Sequence, residues 1–327
     1  MKRAIAVLTF GVALLAGVGG TVGWTAEQEV VAVGNPSVAQ VPFFNLDRFA
    51  AKHGVKVIVR RMGTFTQAQQ AVELGAADVG ALGYVSLIHM AVAGGTPKAK
   101  VVSGSFVGSQ DVVFHKDVKI TRWKDVEGKT IARIPGSFAE FLFRVAATHN
   151  GVDLSKVRFK NFGFSYATLN LALQRKEVDG LVIWSPGLDM PVVGGFGYFP
   201  PISVNDTPMG NINGVLAMNA AFLQKSPSAA EKVLRGFVDA IQHFSANPEE
   251  WIKGARAITG ADPSLLRESI KHATLTVQMY EEKAKALAKA SFQEKLVKND
   301  ASGVIGQWMD YGLLMKVTGK SRKDLGG

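Results

Sequence analysis

The spacing of apolar and polar positions changes repeatedly along the chain, and each change marks an expected element. Glu29 to Val33 is apolar and weakly alternating, then breaks at Gly34-Asn35-Pro36-Ser37, which reads as a buried strand followed by a loop. Val41 to His53 follows a helical pattern and stops at Gly54. Val55 to Val59 is β-branched and ends at Arg60 and Arg61, a second strand. Thr64 or Thr66 would cap the next helix, Gln67 to Leu74, which closes at Gly75. Asp78 to Leu82 is a short third strand, and Val85 to Val92 a third helix ended by Gly94-Gly95. Alternation at this pace predicts a parallel sheet with helices on both faces.

A second stretch repeats this grammar. After strands at Lys100–Ser103 and Val112–His115, the pattern gives a strand at Lys129–Ile134, a helix at Ser137–Asn150 and a strand at Val157–Phe162. Tyr166–Arg175 then reads as helix and Gly180–Trp184 as strand. Pro186 to Pro208 is rich in Gly and Pro with little helical pattern, and Gly214–Met218 is one more apolar strand. From Pro227 the pattern is helical almost to the end, and Lys and Glu alternate between Glu281 and Lys298 as on a solvated helix face. The expected organisation is two α/β units, the second inserted into the first, with a helical tail. Residues 27–112 and 215–327 form one lobe and 113–214 the other, with crossings near Val113 and Val215. A length of 327 residues suits two domains.

Composition narrows the class. Hydrophobic residues at 47% and charged residues at 20% exclude bulk disorder. The absence of cysteine excludes disulfides, thiol nucleophiles, iron–sulfur clusters, cysteine zinc sites and a lipobox anchor. Lys2 and Arg3 precede an apolar run from Ala4 to Val18, and small residues lead on to Ala26. That is the layout of a secretory signal peptide over residues 1–26, too short to be a spanning helix. Cleavage after Gly23 is the alternative, because Trp24 would stand awkwardly three residues before a cut after Ala26. The expected location is the periplasm, as a soluble protein without a lipid anchor. The net charge of +10 carries no nucleic-acid signature, since the lysines of the tail are interleaved with glutamates and not with aromatics.

The chain offers little for catalysis. Gly128-Lys129-Thr130 ends like a phosphate-binding loop, but Trp123 stands where that motif needs glycine, and the helix–strand order is reversed. Gly163-Phe164-Ser165-Tyr166-Ala167 lacks the second glycine of a nucleophile elbow and has no assignable base. The six histidines, at 53, 89, 115, 149, 243 and 272, show no metal-ligand spacing. No catalytic residue, metal or cofactor is expected. The informative positions lie where strands hand over to helices, because ligands of open α/β sheets collect beyond the carboxyl ends of strands. These are Asn35 and Ser37, then Thr64 and Phe65, then Gly83 and Tyr84 in the first unit. In the second they are Gly136, Ser137 and Phe138, then Phe164, Tyr166 and Trp184. Ser137 and Glu140 also have capping-box spacing.

Three ordered motifs between Val30 and Pro186 resemble a known family. The first runs from Gly63-Thr64-Phe65 through Gln70-Ala71-Val72-Glu73-Leu74-Gly75-Ala76-Ala77-Asp78-Val79-Gly80 to Gly83 and Ala91-Val92-Ala93-Gly94-Gly95. The second is Trp123-Lys124-Asp125-Val126-Glu127-Gly128-Lys129-Thr130-Ile131-Ala132 with Pro135-Gly136-Ser137, and the third is Glu177-Val178-Asp179-Gly180-Leu181-Val182-Ile183-Trp184-Ser185-Pro186. Together they resemble the aliphatic-sulfonate and taurine receptors among the NMT1/THI5-like solute receptors of ABC importers. The resemblance implies a two-lobe periplasmic binding protein of type II, α/β, each lobe a mixed sheet flanked by helices, with two crossover strands. It implies a monomer, not an enzyme, whose partners are a small solute and a membrane permease, with no nucleic acid. Carried over by position, Thr64, Phe65, Gly83, Tyr84, Gly136, Ser137, Phe138, Tyr166 and Trp184 become cleft residues.

Two departures bear on the solute. Gly83 is followed by Tyr84-Val85-Ser86 where the sulfonate receptors favour an acidic residue and proline, and Ser185 replaces the aspartate after the tryptophan. A taurine-type ammonium would lack its carboxylate partner. The aromatic candidates suit a solute with a flat or apolar part. An anionic head would be held by N–H groups at the start of the Ser137 helix, or by whichever of Arg60 and Arg61 strand alternation turns toward the cleft. The expected function is binding of a small organic anion, a sulfonate or a carboxylated aromatic, for delivery to a permease. A sensory solute-binding module and a Ser165-dependent hydrolase are the alternatives.

Overall fold

The computed structural model describes residues 29–163 and 165–327, so the signal-peptide segment 1–26 and Phe164 lie outside the described residues. The first sheet contains β1 (Glu29–Gly34), β2 (Lys56–Arg61), β3 (Val79–Gly83), β4 (Ala99–Gly108), β10 (Ile212–Asn219) and β11 (Ala273–Leu275). Their order is β11-β4-β10-β3-β1-β2. The second contains β5 (Gln110–His115), β6 (Thr130–Arg133), β7 (Arg158–Asn161), β8 (Gly180–Trp184) and β9 (Gly197–Tyr198), in the order β7-β6-β8-β5-β9.

Burial explains the centre of each sheet. Every residue of β3 and of β10 is buried, as expected of strands covered on both faces. In the second sheet, Val113, Leu181 and Ile183 pack with Leu169, Ala172 and Leu173 of the helix Tyr166–Gln174. Those helix residues recur at i, i+3 and i+4, so one stripe faces the strands.

Strand direction decides where the two sheets meet. β1 runs parallel to β2 and β3, whereas β10 is antiparallel to both β3 and β4. β4 is therefore parallel to β3 and ends on the same carboxyl edge. In the second sheet, β6 is parallel to β7 and β8, and β5 is antiparallel to β8, with Gln110 opposite Trp184. The start of β5 thus lies at that sheet's carboxyl edge. Ser109 alone separates β4 from β5, so the crossing joins carboxyl edge to carboxyl edge.

The crossing is tightly built. Gly108 and Ser109 both take left-handed backbone, at φ of 78° and 73°. A Cβ on Gly108 would lie 2.3 Å from the His272 carbonyl oxygen, so only glycine fits. The Ser109 N–H donates to the same carbonyl at 2.6 Å. The chain returns to the first sheet through residues 199–211, anchored where Asp111 accepts from the Ser203 hydroxyl at 2.7 Å and the Val204 N–H at 2.9 Å. Asn213 ties the two crossings together, its Nδ2 donating to the Gly108 carbonyl and to Gln110 Oε1.

Several elements depart from the sequence pattern. The helix expected over Val41–His53 is two short ones, Val41–Phe44 and Leu46–Ala51, separated at Asn45. The Asn45 amide turns back to the Val41 carbonyl at 2.9 Å, local competition typical of asparagine. β4 extends to Gly108, well past Ser103. The segment Pro186–Pro208 contains the short helix Met190–Val193 and β9. The tail is interrupted by β11, which pairs with β4, and three of its helices begin at Pro227, Pro248 and Pro263. Among the described residues no helix is long and apolar enough to cross a membrane.

Candidate functional site

The residues of the strand-to-helix junctions divide into those that shape the chain and those left facing the space between the sheets. Asn35 belongs to the first group: its Nδ2 donates to the carbonyls of Met62, at 3.3 Å, and Gly63, at 2.6 Å, tying the ends of β1 and β2 together. Thr64 Oγ1 accepts from the Gln67 N–H at 3.1 Å and caps the helix Phe65–Glu73. Ser137 Oγ accepts from the Glu140 N–H at 3.2 Å and caps the helix Phe138–His149. Its partner Glu140 does not complete the capping box on Ser137 but accepts from the Gly136 N–H at 2.8 Å. The Gly136 donor expected for an anion is therefore already used by a carboxylate.

Tyr84 requires a correction. It is 1% exposed, and its hydroxyl donates to the Met279 carbonyl inside the first lobe. Burial raises its pKa well above the usual phenol value. Its ring is core, and only its backbone belongs to the start of the helix Tyr84–Ala93. The arginines at the end of β2 are both exposed. Arg61 donates to the Ile258 carbonyl at 3.1 Å and stands over the Phe44 ring, which commits it to the outer helices.

The remaining residues form a continuous band. A Cβ on Gly83 would lie 3.5 Å from the Phe65 ring and 3.6 Å from the Asn213 carbonyl, so Phe65 rests against Gly83 beside the second crossing. Asn213 reaches Gln110, Gln110 stands opposite Trp184 in the ladder, and Trp184 meets Tyr166 edge-to-face at 6.4 Å. Tyr166 lies on Gly187, where any Cβ would approach its ring to 2.2 Å. Burial also raises the Tyr166 pKa. The band thus runs from Phe65 in the first lobe to Tyr166 in the second, directly over the crossing. Phe65, Tyr166 and Trp184 are each only partly buried. A half-covered aromatic wall with amides at its base can hold a flat or apolar group and hydrogen-bond a polar one.

Buried polar atoms without partners sharpen this picture. Ser37 Oγ makes no cap hydrogen bond and is buried without a partner. The same is true of Gln40 at both amide atoms and of Gln110 at Nε2. Buried polar groups are ordinarily hydrogen-bonded, so these atoms are open to a partner, water or solute, that the protein itself does not supply. Sequence reasoning missed Gln110 and Asn213. The available signal was a carboxamide within or beside an apolar run, a position where burial without purpose is costly.

Gly136, Ser137 and Phe138 border a cavity of about 490 Å³ that reaches to Val85 and Ile88 in the other lobe. Ser165, the serine considered for hydrolysis, accepts from the Thr168 N–H at 3.3 Å and is a helix cap. Among the described residues no three His, Asp or Glu side chains gather as a metal site.

The family model described as NMT1/THI5 like matches residues 49–251. The chain belongs to that family. The NMT1/THI5-like chain is 24% identical over 205 residues to the taurine-binding periplasmic protein of Escherichia coli K12, a match covering 63% of this chain and 62% of the relative. Its fold is that of periplasmic binding proteins. It superposes on the alkanesulfonate-binding protein SsuA of Xanthomonas axonopodis pv. citri, solved with MOPS, at TM-score 0.68 and 15% identity over 87% of this chain and 98% of the other. The aliphatic sulphonate binding protein SsuA of Escherichia coli gives 0.71 at 17% identity, over 84% and 94%. The nitrate-binding protein NrtA of Synechocystis PCC 6803 gives 0.70 at 13%, over 89% and 88%.

Proposed function

We propose that this NMT1/THI5-like protein is the solute receptor of an ABC importer. It acts in the periplasm as a monomer, after removal of its signal peptide, and hands a small organic solute to a membrane permease. The observation that carries this reading is the band from Phe65 to Tyr166, assembled from both lobes directly over their crossing. A solute placed against it contacts both lobes at once and favours their approach, because it gains contacts only when they close. Rigid-body movement about Gly108–Gln110 and the 199–211 return would be the natural hinge.

The solute that suits this wall is a small organic anion with a flat or apolar part, a sulfonate or a carboxylated aromatic. Phe65, Tyr166 and Trp184 take its apolar body, Ser37 and Gln110 its polar atoms, and Gly83 lets the backbone approach. Asn35, Thr64, Gly136 and Ser137 hold the junctions in shape, and Phe138 forms the outer margin. The taurine-, alkanesulfonate- and nitrate-binding relatives agree with an anionic solute. No chemistry on the solute is proposed.

Calorimetry of the mature protein against aliphatic sulfonates, aromatic carboxylates and nitrate tests the reading. At least one should bind with a Kd in the micromolar range or below. Trp184→Ala and Phe65→Ala should each weaken it about tenfold or more, since an aromatic face contributes on the order of 1–2 kcal/mol including its buried area. No binding across the whole panel, or unchanged affinity in both variants, would contradict it.

A further inference from the structure

The cavity of about 490 Å³ beside the Gly136–Phe138 turn does not include Phe65, Tyr166 or Trp184, and its chemistry differs from theirs. Three segments enclose it. Val85, Ile88 and His89 come from one face of the helix Tyr84–Ala93 in the first lobe. Arg133, Phe138, Glu140, Phe141 and Arg144 come from the second lobe, and Ser291, Glu294, Leu296 and Val297 from the tail.

Each charge lining this cavity can be accounted for. Glu140, 5% exposed, accepts from Arg133 Nη1 at 2.9 Å and from Arg144 Nε at 2.9 Å. Two guanidiniums on one carboxylate leave one positive charge in excess. Arg133 Nε is buried with no acceptor, so a charged donor stands ready without a partner. Glu294 also lines the cavity, and its carboxylate makes no hydrogen bond or ion pair with any described residue. One cation lacks a full set of acceptors, and one carboxylate lacks a cation. Apart from His89, Ser137 and Ser291 the rest of the wall is apolar: Phe138 and Phe141 stack at 6.2 Å and 17°, with Ile88, Leu296 and Val297 beside them. Leu296 is 54% exposed, more apolar surface than a solvated turn requires.

We propose that this cavity is a second binding site, for a small zwitterion carrying an apolar group, such as an α-amino acid with an aromatic or aliphatic side chain. Its carboxylate meets Arg133, its ammonium meets Glu294, and its side chain lies on Phe138, Phe141 and Leu296. A simple anion would leave Glu294 facing like charge, and a simple amine would leave Arg133 Nε without an acceptor. Because both lobes and the tail line the cavity, occupation of this site is sensitive to how the lobes stand.

L-Phenylalanine, 3-phenylpropionate and phenethylamine, titrated calorimetrically into the mature protein, separate these cases. L-Phenylalanine should bind the wild-type protein and Trp184→Ala alike, and at least tenfold more tightly than either analogue. Arg133→Lys keeps the charge beside Glu140 but removes the Nε donor, and Glu294→Gln removes the carboxylate on an exposed turn. Each should weaken L-phenylalanine at least tenfold with circular dichroism and melting temperature preserved. No binding at millimolar L-phenylalanine, equal binding of 3-phenylpropionate, or indifference to both substitutions would overturn the proposal. Loss of L-phenylalanine binding in Trp184→Ala would place that ligand in the central cleft, which overturns this site while leaving the receptor reading intact.

Discussion

Tyr84 and Trp184 both end a strand in the sequence pattern, yet they serve opposite purposes. Trp184 keeps part of its ring uncovered beside Gln110 and Tyr166. Tyr84 turns inward, and its hydroxyl satisfies the Met279 carbonyl across 195 residues of sequence. Tyr84→Phe therefore leaves a buried carbonyl without its donor, which costs about 1–2 kcal/mol. The expected drop in melting temperature is about 1.5–3 °C for a chain of this size, with solute affinity unchanged. Calorimetric melting alongside a binding titration checks both, and a weakened solute with an unshifted melting point would return Tyr84 to the cleft. Residue type at a junction was legible, whereas side-chain direction was not. Phe65 lies over the strand end at Gly83 while Tyr84 enters the core, and nothing in the local pattern separates those two rings.

At the scale of elements, the short crossing depends on backbone that L residues adopt at a cost. Gly108→Ala places a methyl 2.3 Å from the His272 carbonyl and forces a left-handed conformation on alanine. It should destabilise the protein by about 2 kcal/mol or more, read by denaturant unfolding; a neutral effect would mean the crossing is not held as tightly as its contacts indicate. Beside it, Asp189 in the loop after β8 is fully buried, accepts from Ser269 Oγ at 2.6 Å, and stands 3.6 Å from His272 Nε2. Burial raises the Asp189 pKa, opposed by its hydrogen bond from Ser269 and by His272, with Glu268 adding to the rise. A carboxyl whose folded pKa is raised contributes stability that is complete below its ordinary value of 3.8 and is lost as pH rises through the raised value. Relative to Asp189→Asn, the wild type should gain stability as pH falls from 7 toward 4. Melting curves of the two proteins across that range check the sign, and parallel curves would refute it.

The same scale shows why some elements could be read and others could not. β1 to β3 and β6 to β8 follow one another with a helix between, so local period and glycine breaks locate them within one or two residues. β11 is three residues long and exists only because β4 offers an edge more than 160 residues earlier in the chain. The break at Asn45 depends on one side-chain hydrogen bond inside an otherwise helical pattern. Neither leaves a periodic trace.

For the whole molecule, strand direction carries most of the argument. Both sheets present carboxyl edges, the chain joins those edges through a single residue, and the aromatic band spans the join. The inserted arrangement of two α/β units could be inferred from the order of patterns. The base of the cleft could not, because Gln110 and Asn213 meet across 103 residues and each looks unremarkable within its own strand. A co-crystal structure with the tightest-binding sulfonate or aromatic carboxylate tests the central claim most directly. The account predicts that solute lying between Phe65 and Trp184, with a polar atom within hydrogen-bond distance of Ser37 or Gln110. Density for the solute on an outer face of either lobe, with the space over Gly108–Gln110 holding only water, would contradict it.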